Sequence, residues 1–576
     1  MNQAPLPRLL ALLLPLSVLF VGCRAPGSSD RDVLYVGGPI LTMDDARPEA
    51  EALLVRDGRI VAVGARAAVE AEAGAGVRRV DLGGRTLVPG FVDAHGHFSM
   101  VGLQAVSANL LPPPDGEGNS IGALQQILRA HVASSPFVQE HGLVLGFNYD
   151  DSQLAEQRHP TRQDLDAVTT ELPVIALHQS GHLAVLNSLA LERAGIGEGT
   201  PDPEGGLIRR EADGRTPDGV LEENAMFAAL LPLMPKFTRD QTFAMLAAAQ
   251  EIYASYGYTT VQEGRADPGT LAGLEAAAAA GRLALDVVVY PDFEMNAENP
   301  ALHGPLMTRD YAQHLRLGGV KLTLDGSPQG KTAFFTQPYV EPPPGQPADY
   351  RGYATLTPER TTERLIEAHR AGWQVLVHAN GDAAIDQLIA CESAALAAVP
   401  GIYTRTVLIH GQFTRADQVD ELVRLGIFPS LFPMHTFYWG DWHRTSVAGP
   451  ERARDISPTG WFLERGVPFS IHHDAPVTFP NSMRVLDSAV NRTTRTGFVL
   501  GPEQRLEPLT ALKAMTIWPA HQHIEGLDKG SLEPGKRADL VILSADPRAV
   551  PRERLIELQV LETIKDGATV WRARGR

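Results

Sequence analysis

Apolar and polar positions change their period along the chain. Residues 33–80 alternate and turn in the manner of β-hairpins, with Asp57-Gly58 between the apolar runs 53–55 and 60–63, a strong two-residue turn signal. The far end repeats it: 538–543 reads as a strand and 563–570 as a hairpin on Asp566-Gly567. Between the two ends, short apolar runs alternate with Ala- and Leu-rich stretches such as 271–283 and 361–371, whose spacing predicts helices. Alternating strand and helix predicts βα units and a parallel sheet. The expected fold class is α/β, a (β/α)8 TIM-like barrel with a composite β-sandwich domain formed from both termini. The expected boundaries are 33–85 and 506–576 for the two parts of the sandwich. The barrel takes 86–505, with an insertion at about 100–230. The Pro-rich stretch 340–347 reads as a loop of the kind that caps a site.

Composition narrows the class. With 576 residues, 44% hydrophobic and 21% charged, disorder is excluded as the main state. A formal charge of −17 argues against a general nucleic-acid binder, whose footprint is a basic patch. Two cysteines, Cys23 and Cys391, exclude a disulfide scaffold. Residues 9–21 are almost wholly apolar, yet shorter than the roughly 20 residues a membrane-spanning helix needs. They read as the core of a signal peptide over 1–22. The run closes in Phe20-Val21-Gly22-Cys23, which resembles a bacterial lipobox with Phe20 where Leu is preferred. The resemblance implies lipidation of Cys23, a tether over 23–32, and an exported cell-envelope lipoprotein on the periplasmic side or cell surface. The membrane is then a partner through that lipid only; a plain secretory signal is the alternative.

The chemistry gathers at strand ends. His95 and His97 close the apolar run 87–94 at a spacing of two, which turns two side chains to one side of a strand. His378 ends the run 373–377, and His410 follows 32 residues later at the end of 406–409, about one unit of a barrel with roughly 250 residues in eight units. Asp474 ends a further strand after His472 and His473. Imidazole and carboxylate at strand ends suit Zn²⁺ or a similar ion, since barrel strands deliver their C-terminal ends to one face. Lys321 points inward from the apolar run 317–324. A protonated amine cannot ligate a cation, but carbamylated by CO2 it becomes an anionic ligand able to bridge two metals. The other reading is an ion pair with Asp325.

These stretches resemble a known family. The runs 89–97 (PGFVDAHGH), 318–333, 377–386, 408–412 and 473–477, with Gly181-His182 and 534–540, are similar to the amidohydrolase superfamily, closest to amidohydrolase family 3 enzymes of the N-substituted-formamide-deformylase kind. The resemblance implies metal ligands at His95, His97, Lys321, His378 and His410, with Asp474 as ligand and proton shuttle. It implies one or two divalent ions, expected to be zinc, and a carboxylated Lys321. The sequence departs from the pattern at Gln179-Ser180 and at His472-His473, both where substrate is expected.

The activity implied is metal-dependent hydrolysis of a C–N bond, amide or N-acyl/N-formyl, of a small molecule. Asp474 is the expected acid–base. His182 is either an oxyanion donor or a satisfied structural histidine. Substrate contacts are expected from His182, Asp325, His435, Trp439 and His473, with a packed loop as the other reading around His435. Asn380 and Gln412 are placed to orient the ligands. The alternatives are a hydrolase of the same fold acting on a lactone or cyclic amide, and a non-catalytic lipid-anchored binding protein.

Overall fold

The computed structural model describes residues 32–74, 76–401 and 404–574. The signal-peptide, Cys23 and most of the tether assignments lie outside them. Both ends of the chain enter one eight-stranded sheet. Its order is Ala568–Arg572, Val560–Lys565, Leu540–Leu543, Thr86–Pro89, Val33–Leu41, Glu49–Arg56 and Arg59–Gly64, with Arg78–Asp81 beside Val33–Leu41. The two ends meet where Leu540–Leu543 runs antiparallel to Thr86–Pro89. Both Asp-Gly turns form as the sequence predicts. Asp57 and Gly58 have φ of 48° and 78°, Asp566 and Gly567 50° and 75°, the positive pair of a type I′ hairpin turn. The turns also face each other, since a Cβ on Gly58 would stand 2.8 Å from Asp566 O.

The middle of the chain is α/β with parallel sheets. One sheet holds Phe91–Val92, Tyr258–Ala266, Asp286–Pro291 and Leu315–Leu317. The other holds Gly319–Thr323, Gln374–Ala379, Val407–His410, Phe428–Leu431 and Ser470–Ile471, in chain order, with parallel neighbours throughout. Their near-continuous Val, Ile and Leu content fits strands buried on both faces. Gly318 alone separates the two sheets along the chain; a Cβ there would meet the Tyr290 ring at 2.6 Å. At the other edges, Asp474 N donates to His95 O at 3.1 Å and His97 N to Ala475 O at 2.7 Å, tying the segments after the first and last strands together.

Local chemistry sets the helix ends. The stretch expected from 271 begins earlier, at Pro268–Ala279, because Asp267 accepts from the Gly269 and Thr270 amides and Pro268 takes the first turn, where no N–H is needed. Pro358–Ala371 is capped by Thr357 and ended by Gly372 at φ 75°. Between Val92 and Tyr258 a mixed six-stranded sheet is inserted, from Ala108–Asn109 to Pro217–Glu223, with apolar clusters on both faces. The helix Asn224–Leu233 follows it. The Pro-rich loop does not cap the site. Val340 and Glu341 donate instead to Val447 and Ser446 carbonyls, and it is the helix Asn224–Leu233 that borders the cavity.

Candidate metal centre

The expected ligands converge after the C-terminal ends of the parallel strands. His97 Nε2 and His95 Nε2 lie 3.3 and 3.6 Å from Asp474 Oδ1, and His410 Nε2 lies 3.9 Å from Oδ2. Lys321 Nζ is 3.2 Å from His95 Nε2. The His378 ring packs 4.6 Å from that of His410. His95, Lys321, His378, His410 and Asp474 are all buried. Asp474 Oδ1, although buried, accepts no hydrogen bond while imidazole nitrogens surround it. Ligand atoms of His95, His410 and Asp474 all fall within 4.8 Å of one another. Atoms each about 2.0–2.2 Å from one ion stand a few ångströms apart, so this donor set fits a divalent metal.

Burial holds His95, His378 and His410 well below the usual imidazole range, with Lys321 or neighbouring histidines adding to it. They are therefore neutral, the ligating form. Burial also pulls the Lys321 amine down to about 7 against the opposing charge of Asp474.

Neighbours fix which nitrogen each ring presents. Gln262 donates through Nε2 to Ala94 O, so its Oε1 accepts from His95 Nδ1 at 2.6 Å and leaves His95 Nε2 for the cluster. His410 Nδ1 is 3.1 Å from His472 Nε2, and His472 Nδ1 is 3.0 Å from Ser430 Oγ. Asp325 lies 3.2 Å from His378 Nδ1 without a hydrogen bond to it, and Asn380 Nδ2 lies 3.2 Å from its Nε2. Gln412 holds Ser457 instead of a ligand. Backbone strain collects here: His410 and Asp474 have φ of 75° and 54° without being glycine.

Several expectations are corrected. The first strand stops at Val92, so His95 and His97 sit on the turn beyond it; their rings are brought to 5.2 Å by the loop and by the helix starting at Phe98. Lys321 does not pair with Asp325, whose carboxylate takes the amides of Phe334, Asn380 and Gly381. Of the residues expected at the substrate, only His182 lines the cavity. Asp325 is consumed by those amides. His435 is buried against His443, 3.1 Å between ring nitrogens, and Trp439 donates to Asp150 at 2.8 Å. His473 faces Asp93 at 3.3 Å, packed between Tyr253 and Tyr258. His369 and His523 are both buried and hydrogen-bonded, away from the cavity.

Some site residues escaped sequence reasoning. Asp93 accepts the His95 and Gln262 amides, and burial raises its carboxyl to about 8. Glu223, at φ 48°, accepts from His182 Nδ1 at 2.7 Å. Burial lowers His182, but Glu223 overrides it and raises the imidazole above its usual value. Gln262, Glu263 and Arg265 come from one strand, Tyr258–Ala266, where polar residues in an otherwise buried run were the available signal. A second group, Asp151, His159 and His178, has ligand-type atoms equally close. There, however, Ser180 N donates to His178 Nδ1 at 3.2 Å, so the proton sits on Nε2 and is given to Asp151 at 2.9 Å. His178 and Asp151 are thus joined by a hydrogen bond, with His159 3.6 Å from Asp151 and bonded to Tyr149.

Neutral imidazoles, an amine and an unpartnered carboxylate oxygen at the ends of parallel strands make a donor set that could hold a divalent ion. The chain belongs to the amidohydrolase family, whose sequence profile matches residues 78–571. It is 27% identical to the N-substituted formamide deformylase of Arthrobacter pascens, over 95% of this chain and 99% of the relative. It is 25% identical to the putative amidohydrolase YtcJ of Bacillus subtilis, over 93% and 99%. Among solved structures, an uncharacterized metal-dependent hydrolase from Pyrococcus horikoshii shares the fold, with a TM-score of 0.71 and 23% identity over 91% of this chain and 99% of that one.

Proposed function

We propose that the protein hydrolyses an amide or N-acyl/N-formyl C–N bond of a small molecule with one or two divalent ions, zinc by the donor set. The observation that carries this is Asp474, whose buried Oδ1 is unpartnered with His95 and His97 near it and His410 near Oδ2, and with Lys321 on His95. His95, His97, His378, His410, Asp474 and Lys321 would hold the ions. Bound there, a divalent ion acidifies water and polarises a carbonyl. Asp474 takes the proton of the attacking water and returns it to the leaving nitrogen. His182, held by Glu223 at the cavity wall, faces the carbonyl oxygen. Lys321, whose amine burial keeps partly neutral, adds CO2 at Nζ with release of one proton, giving an anionic two-oxygen ligand. The formamide deformylase relative supports the C–N assignment.

The parallel strands are read as a (β/α)8 barrel over 86–505 with an insertion at about 100–230, and the shared terminal sheet as a composite β-sandwich domain. The sequence over 1–32 supports an envelope lipoprotein attached through Cys23. Cys23→Ala is expected to abolish incorporation of labelled fatty acid and to release the protein from membranes.

Metal analysis together with a panel of N-formyl, N-acyl and lactone substrates tests the activity. Amide turnover is expected, and Asp474→Asn is expected to lower kcat by roughly 10²–10⁴-fold. Turnover of lactones alone would overturn the C–N assignment.

A further inference from the structure

We propose that the amide carries an unbranched alkyl chain, held in a two-chambered apolar cleft; the placement of the scissile bond rests on the hydrolytic function above. The first chamber, about 330 Å³, is lined by the cluster around Asp474 and mainly by apolar side chains such as Phe147, Leu177, Phe227 and Leu230, with Gln179 and Arg265 among them. A second chamber of about 400 Å³ adjoins it, the two sharing Met100, Leu103, Met234 and Asp267 as walls. Each lies within the size range of small-molecule sites.

Few polar groups line the second chamber: the Thr242 and Thr270 hydroxyls donate to Thr238 O and Asp267, and that of Ser99 is unpartnered. Asp267 is its sole charged side chain among the described residues, and its carboxylate is spent on the Gly269 and Thr270 amides and the Thr270 hydroxyl. Water there would find few partners, whereas an alkyl chain would bury its methylenes against Met, Leu and Phe. Methionine walls adapt to a flexible chain.

The way in is apolar as well. Residues 224–235 contain no charged side chain. The helix Asn224–Leu233 turns Phe227 and Leu230 to the first chamber and buries Ala225, Met226 and Ala229 on its other side, yet leaves Leu231 82% exposed. Met100 and Met295, both on the chamber wall, are 38% and 48% exposed. A surface helix normally carries a polar stripe. This one has Asn224 as its only polar side chain and sets Phe227 and Leu230 beside part-exposed Met100 and Met295 on the chamber wall, which suits an aliphatic tail entering ahead of the amide.

The test is a chain-length series on the metal-loaded enzyme, using N-alkanoyl anilides and N-formyl n-alkylamines from two to twelve carbons. In one series kcat/KM is expected to rise about fourfold per methylene until the chambers fill. Which series rises tells whether the chain sits on the acyl or the nitrogen side. Calorimetric binding of n-alkanoates and n-alkylamines, which needs no turnover, is expected to show the same gradient. Met234→Asp, with Met234→Gln as the milder change, is expected to cut the gradient below twofold per methylene. Flat series in both kinetics and binding, or a gradient unchanged in both variants, would overturn the inference. Amide turnover without chain-length dependence would sink the alkyl chain and keep the hydrolase. Graded binding without amide turnover would do the reverse.

Discussion

Gln262 shows what a single side chain contributes at this centre. It touches no substrate, yet its amide, fixed by Ala94 O, decides that His95 presents Nε2 to the cluster. Gln262→Leu is expected to weaken metal binding about 10–100-fold, measured by competition with a chelator, while the fold is kept. That His95, His97, His410 and Asp474 come together was legible in the sequence because several of these residue types close successive apolar runs at the spacing of βα units. Gln262, Asp93 and Glu223 were not legible, because hydrogen-bonding residues occur throughout a chain and only proximity gives them a role. His435 and Trp439 misled for the complementary reason. Aromatic residues near a strand end read as a pocket wall, and here they found partners in His443 and Asp150 instead.

Among the elements, the strands that carry ligands depend on narrow backbone requirements. Gly318 joins Leu315–Leu317 to Gly319–Thr323, and so sets where Lys321 stands relative to His95. A methyl group there would meet Tyr290 Cζ at 2.6 Å. Gly318→Ala is therefore expected to cost about 1–3 kcal/mol of stability, read from denaturant midpoints, and to lower metal occupancy with it. The Asp-Gly hairpins and the strand-helix alternation were readable, since turn chemistry and period act over a few residues. The end of the first strand at Val92 was not, because the turn carrying His95 and His97 is shaped by bonds to Ala475 and Asp474, far away in sequence.

The molecule as a whole is pinned by buried charge between its parallel sheets and its C-terminal segment. Glu525 accepts from Arg316 Nε at 2.8 Å and Tyr311 Oη at 2.6 Å, and pairs with Lys529 at 3.0 Å; Lys529 also reaches Asp286 at 2.6 Å. Burial raises the Glu525 carboxyl, but Lys529 and Arg316 override it and hold it at about 2, below the ordinary 4.5. Because the folded value is the lower one, the unfolded chain binds more protons between these two pH values, and stability falls as pH drops from about 4.5 through about 2. The difference corresponds to about 3 kcal/mol. Glu525→Gln is expected to destabilise the protein by about 3–5 kcal/mol at neutral pH, as urea unfolding would show, and to flatten the acid limb of the stability profile.

By itself the chain determined the kind of secondary structure, the two matching hairpins, the donor atoms of a metal site and the amidohydrolase resemblance, because each of these is written in short-range period, turn residues or residue type. Tertiary structure alone decided which donors meet, which ring nitrogen each one offers, and which apolar side chains wall the cavity. Those outcomes depend on strands and loops separated by tens to hundreds of residues coming together, as when Asp474 N reaches His95 O, and no local pattern encodes such a meeting.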